Sequence, residues 1–245
     1  MAANAAFNTV PAEYSLEIAE LIRSNLTPKR MQEQLSSYHE NDIASALELL
    51  TKSERLKLYQ LLDSDTLAGI FEYSDHIADY VQELSLRKKI DVFSRMETSD
   101  VVDVLRQLEK GERESLVDLL NPEVRSDVKL LSSFDEDEIG SIMSTNYIVV
   151  PDHASVKEAM SELVHQAAEN DNISTIYVVD KYEIFYGAID LKDLIIAREG
   201  TDLKSITTCS YPYIYARSSI EECIPQLMDY SEDSIPVLDN ENKLI

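Results

Sequence analysis

The feature that most limits what this chain can fold into is a repeat inside its first half. Shifting the sequence by 58 residues lays Asn41-Asp42-Ile43-Ala44-Ser45-Ala46-Leu47-Glu48-Leu49-Leu50-Thr51-Lys52-Ser53-Glu54-Arg55 onto Ser99-Asp100-Val101-Val102-Asp103-Val104-Leu105-Arg106-Gln107-Leu108-Glu109-Lys110-Gly111-Glu112-Arg113. The match continues through Leu58, Leu61 and Leu62 onto Leu116, Leu119 and Leu120, and a weaker copy, His76 to Ser85, lies about midway. From about Ser15 to Leu131 the apolar residues recur at helical spacing, as in Ile43, Ala46, Leu47 and Leu50. Gly69 and Gly111 are the only glycines there, and Pro28 and Pro122 stand where helices begin or turn, so several short helices are expected. The competing reading is a chance match between two amphipathic helix pairs.

Repeats that cannot bury an apolar face alone must stack on their neighbours, which predicts a helical superhelix resembling HEAT or armadillo arrays. From Ile142 the period changes. Tyr147–Val150, Thr175–Asp180 and Ile184–Ile189 read as strands, with helices over Ser155–Ala168 and Lys192–Ala197. A second copy follows at an offset of 64, pairing Tyr147 with Tyr211, Ser155 with Ser219, Glu158 with Glu222 and Leu163 with Leu227. Both helices open on a capping box, Ser155-Val156-Lys157-Glu158 and Ser219-Ile220-Glu221-Glu222. Pro225 falls inside the second helix, where it should kink it. The expected class is α plus α/β.

Charge then narrows the function. With 22 basic and 46 acidic side chains in 245 residues the net charge is −24, which excludes the basic footprint that nucleic acid requires and favours cations or basic partners. Cys209 and Cys223 are too few for a disulfide scaffold, and no apolar run approaches a membrane span or a signal peptide. His39, His76, His153 and His165 have no zinc spacing, no glycine-rich phosphate loop exists, and no catalytic residue is assigned, so an enzyme is not expected.

The strand–helix–strand–strand–helix unit, with Tyr177-Val178-Val179-Asp180 and later Pro236-Val237-Leu238-Asp239, resembles a tandem pair of CBS domains. Preceded by an acidic helical array and the joint Phe134-Asp135-Glu136-Asp137-Glu138-Ile139-Gly140-Ser141-Ile142-Met143, the whole is similar to the cytosolic region of an MgtE-type magnesium transporter. That resemblance implies three parts: a helical domain over residues 1–134, a first CBS domain over 135–205, and a second over 206–245 that is cut short, because Ile245 aligns with Tyr186. It further implies a homodimer formed through the CBS domains, a place on the cytoplasmic face of the membrane, and a covalently continuous transmembrane domain missing from this chain.

Magnesium prefers oxygen ligands, keeps several waters and is commonly held by one or two carboxylates. Asp100 and Asp103, three apart on an expected helix, share a face and match the repeat motif in which that family keeps acidic residues. As alternatives, Asp100 caps the helix and Asp103 is a solvated surface residue. Residues 1–130 carry 15 basic and 24 acidic side chains and residues 131–245 carry 7 and 22, so two acidic surfaces would repel unless divalent ions bridge them. The resemblance adds Glu221, Glu222, Glu232 and Asp233 as candidate ligands, Glu222 having a competing role in its capping box; Asp135–Glu138 are either ligands or ordinary helix-start charge. Gly187-Ala188-Ile189-Asp190-Leu191-Lys192-Asp193 resembles the nucleotide motif of CBS units, with Gly187 and Asp193 matching. Asp190 replaces its hydroxyl residue, so ATP or AMP binding is expected to be weak. The leading expectation is a magnesium sensor, followed by a nucleotide-responsive module and then a protein-interaction scaffold.

Overall fold

The computed structural model describes residues 13–168, 170, 172–198 and 200–245. It contains two compact units that divide between Arg125 and Ser126. The first is built of α1 (Glu13–Arg23), α2 (Pro28–Leu35), α3 (Glu40–Leu47), α4 (Lys52–Leu61), α5 (Ser64–Glu72), α6 (Ile77–Gln82), α7 (Leu86–Phe93), α8 (Thr98–Arg106) and α9 (Lys110–Leu119). The division falls within α10 (Pro122–Leu131). The 58-residue shift carries α2, α3 and α4 onto α7, α8 and α9, and starts α5 and α10 together. The midway copy is the single short helix α6.

Local chemistry sets the helix starts. Thr51 and Glu54 form a reciprocal capping box at α4, while Asp63 and Asn121, 58 residues apart, accept from the Thr66 and Val124 amides at the starts of α5 and α10. Ile43, Leu47 and Leu58 are fully or almost fully buried, as are Val101, Leu105 and Leu116 at the repeated positions. In the first unit α1 packs on α3, α3 on α5 and α5 on α7.

Basic side chains from later positions finish several helices. Lys57 donates to the Ile22 carbonyl (2.6 Å), Lys88 to that of Leu62 (2.8 Å), and Arg55 to those of Leu47 and Leu50. Arg125 donates to the carbonyls of Val117, Asp118 and Leu120. Each cation meets carbonyls at or just beyond a helix end, the negative end of the helix dipole, where Val117 and Leu47 also accept from the Leu120 and Leu50 amides. Arg55 also forms a two-pronged pair with Glu83 (2.6 and 2.9 Å) and lies over the Tyr80 ring.

The second unit contains β1 (Ile148–Pro151), α11 (Val156–Gln166), β2 (Thr175–Val179), β3 (Phe185–Asp190) and α12 (Leu191–Ile196), then β4 (Ile214–Tyr215), α13 (Ile220–Met228) and β5 (Val237–Leu238). β1 runs parallel to β2, which pairs antiparallel with β3; β4 and β5 repeat the parallel pair. Ile148, Val150, Ile176, Val178 and Ile189 form one core with Leu163 and Leu194. A second joins Ile139, Ile214 and Cys223 with Ile220, Leu227, Ile235 and Val237.

The duplication is clearest in two turns. Asp180 Oδ1 accepts from the Tyr182 and Ile184 amides, as Asp239 Oδ1 accepts from those of Glu241 and Lys243. Glu183 and Asn242 take φ of 65° and 64°, the left-handed conformation that closes each turn. A Lys243–Glu183 ion pair (3.0 Å) ties the turns together. The joint hydrogen-bonds to the second repeat: the Ile139, Gly140 and Ile220 amides donate to the Ser218, Ala216 and Asp137 carbonyls. Gly140 admits the Phe134 ring, since any Cβ there would stand 2.5 Å from a ring carbon.

Candidate functional site

α6 and α8 bring Asp100 and Asp103 to one cavity of about 220 Å³ in the helical unit. Asp75, His76, Asp79 and Gln107 also line it, and among the described residues no lysine or arginine does. Glu97, not Asp100, occupies the N-cap position of α8, which places Asp100 in the first turn. Burial raises the Asp100 carboxyl above the usual aspartate range, and the Asp103 and Glu97 charges push the same way. Burial also raises Glu72, with help from the charges of Glu97, Asp100 and Glu40, against a hydrogen bond from the Glu97 amide. Asp103 pairs with Arg106 at 3.1 Å.

Among the described residues no three His, Cys, Asp or Glu side chains converge closely enough to hold a bare metal ion. The donor set is nonetheless oxygen-rich, the kind that receives magnesium through its own waters. His76 and Asp79 fall in the weaker midway copy of the repeat, and the loop before α6 and that six-residue helix present them together with Asp75. Their meeting with Asp100 is tertiary.

The other candidates lie in the second unit. Glu221 and Glu222 are exposed in the first turn of α13, and Glu232 and Asp233 are exposed beyond its end. The length of the helix, at about 1.5 Å per residue, separates the two pairs. Pro225 lies inside α13, so the helical bond to the Glu221 carbonyl cannot form.

Gly187 is required by packing, since any Cβ would stand 2.6 Å from the Thr208 carbonyl oxygen and 3.1 Å from the Cys209 Cα. Asp193 is exposed on α12, and Asp190 caps that helix by accepting from the Lys192 amide at 2.7 Å. The chain that Gly187 seats leads into the wall of a cavity of about 460 Å³, lined by Cys209–Ile214, Leu227, Asp229, Tyr230 and Ile235. Its volume is in the range of small-molecule sites.

Known proteins resemble the chain throughout this arrangement. Residues 38–137 match the family model of the MgtE intracellular N domain, and residues 139–200 match that of the CBS domain. The magnesium transporter MgtE of Thermus thermophilus is 27% identical over 222 residues, covering 89% of this chain and 49% of that protein. The chain thus spans about half the length of the curated relatives it matches. A crystal structure of the soluble part of a magnesium transporter aligns with a TM-score of 0.86 at 25% identity, over 96% of this chain and 93% of that one. The cytosolic domain of the Mg2+ channel MgtE in complex with ATP also gives 0.86 at 25% identity, over 94% and 95%. The architecture is therefore a helical N-terminal domain followed by a CBS pair.

Proposed function

Because the chain carries an MgtE intracellular N domain followed by a CBS pair, the arrangement of the MgtE cytosolic region, we propose that it is the magnesium-sensing regulatory part of a magnesium transporter. It would then stand on the cytoplasmic face of the membrane, joined to a transmembrane domain. At high magnesium, hydrated ions shared by the acidic helical and CBS domains hold the two together and favour a closed pore. At low magnesium the like charges repel and the helical array separates, a population shift driven by different ion affinities of the two states.

The observation that carries this reading is the cavity in which Asp75, Asp79, Asp100 and Asp103 meet with no lysine or arginine among the described lining residues. Glu221, Glu222, Glu232 and Asp233 are the candidate ligands on the CBS side. The test is small-angle scattering and limited proteolysis against magnesium, for the wild type and for Asp100→Ala with Asp103→Ala. Compaction and protection in the wild type, with a weaker response in a folded double mutant, support the sensor. An unchanged wild type refutes it, and an unchanged midpoint in the mutant removes these two aspartates from the site.

The tyrosine-walled cavity favours a second role, an adenine nucleoside or nucleotide as an additional effector. Tyr211, Tyr213 and Tyr230 line it, and aromatic rings are partners a base can stack on; ATP accompanies one of the aligned cytosolic domains. A shift in melting temperature with AMP or ATP in the absence of magnesium would support it. The exposed Val164, Ile195 and Ile196 on α11 and α12 are candidate cover for a homodimer of CBS pairs.

A further inference from the structure

The acidic joint is built into the second repeat, although the first adjoins it in sequence. Ile139 is buried in the core of Ile214 and Cys223, and Glu138 pairs with Ser219 as an antiparallel bridge. The 64-residue shift carries Ile139 onto Leu203, which is buried in the core of the first repeat with Val150 and Ala159. Each repeat is therefore completed by the segment that leads into the other. The two segments are fastened differently. Lys204 pairs with Asp152 (2.8 Å) at the first repeat. At the second, the Arg217 guanidinium lies 4.6 Å from the centre of the Phe134 ring, pairs with Glu138 at 2.8 Å and donates to the Ser133 carbonyl. The same Glu138 carboxylate accepts from the Asp135 amide at 2.9 Å, so one arginine gathers the start and the middle of the joint.

The helix that runs into the joint is anchored twice. Arg125 ties the early part of α10 to the carbonyls that end α9, whereas the Thr145 hydroxyl, from the CBS side, donates to the Asp127 carboxylate at 3.3 Å. We propose that residues 133–141 are a strap of the second repeat, locked by Arg217 over Phe134, and that the strap stays seated whatever the helical array does. Movement of the array is then taken up inside α10, between Arg125 and Asp127, and the joint carries it undamped to the turn between β4 and α13. The part of this that concerns movement rests on the magnesium-sensor reading above; the strap does not.

The experiment is residue-resolved amide hydrogen exchange on the whole chain, in magnesium and in chelator. The Ile139, Gly140 and Ile220 amides, which bond across the strap, should exchange at the same rate in both, while those of α10 exchange faster in chelator. Arg217→Ala should speed the three strap amides about tenfold, as loss of a cation–π contact and a partly exposed ion pair implies, and leave Ile176 and Val178 in the first-repeat core unchanged. Gly140→Ala should act likewise by displacing the Phe134 ring. Strap amides that lose their protection when magnesium is removed would make the joint itself the moving part and overturn the proposal. So would strap amides indifferent to both substitutions. A wild type in which neither α10 nor the helical unit responds to magnesium would refute the sensor reading and, with it, the assignment of movement to α10; the two variants would still decide the strap.

Discussion

Replacing Glu83 by glutamine should cost the helical unit about 2 kcal/mol. The Arg55 and Glu83 side chains retain only 17% and 10% of their exposure, so their pair lies between the surface class, worth about 0–1 kcal/mol, and the buried class, whose disruption costs about 3–5 kcal/mol. A cost below the buried range applies because Arg55 in the mutant keeps the Leu47 and Leu50 carbonyls and the Tyr80 face. Urea unfolding followed by far-ultraviolet circular dichroism should show the midpoint of the helical unit falling by about 0.7–2 M, given a slope of about 1–3 kcal/mol per molar urea. Arg55→Met removes both the pair and the two carbonyl contacts, and the double mutant should reveal a coupling of about 1–2 kcal/mol. Hydrogen exchange would locate the loss in α3, α4 and α6, which the cluster touches. A Glu83→Gln cost below about 0.5 kcal/mol, or strict additivity in the cycle, would mean that the pair behaves as a solvated surface contact.

Asp100→Asn should raise the stability of the helical unit by about 0.5 kcal/mol in chelator, since it removes a charge opposed by burial and by Asp103; thermal unfolding should show this advantage shrinking or reversing in magnesium. Acid should act through Glu83 and Glu54, the first lowered by Arg55 and the second held at about 2 by Arg23. Their stabilisation is fully present above the unfolded value of about 4.3 and is lost as pH falls toward the depressed folded values, so unfolding of the helical unit should set in below about pH 4. Gly187→Ala should cost about 1–3 kcal/mol by overpacking, because backbone at Thr208 and Cys209 blocks the new methyl; an unchanged melting temperature would show that the chain there yields. Ile196→Glu should convert a CBS dimer to monomer in sedimentation, and a dimer of unchanged strength would place the interface elsewhere.

The parts of this fold that could be read in advance are those in which local chemistry repeats. α4 and α9 begin and end 58 residues apart because leucines recur at the same helical phase. The correspondence of α2 with α7 was hidden by side-chain type: buried Met31 has as its counterpart Lys89, which is buried beside Glu112 but looks like a surface residue in sequence. Asp100 and Asp103 could be picked out from their spacing, whereas Asp75 and Asp79 join them only through the packing of α6 near α8. Gly187 stands in a stretch that resembles the motif of nucleotide-binding units. Its role in seating the chain at Thr208 depends on a contact between segments that no local pattern encodes.

The lysines and arginines that close the helices have a consequence for solution behaviour. Lys57, Lys88 and Arg125 point at main-chain carbonyls, so part of the positive charge of the helical half is turned toward its own backbone. What faces outward is closer to a polyanion than the composition alone implies, and its remaining neutralisation must come from mobile counterions. Such a surface concentrates divalent over monovalent cations by charge alone, before any particular carboxylate is involved.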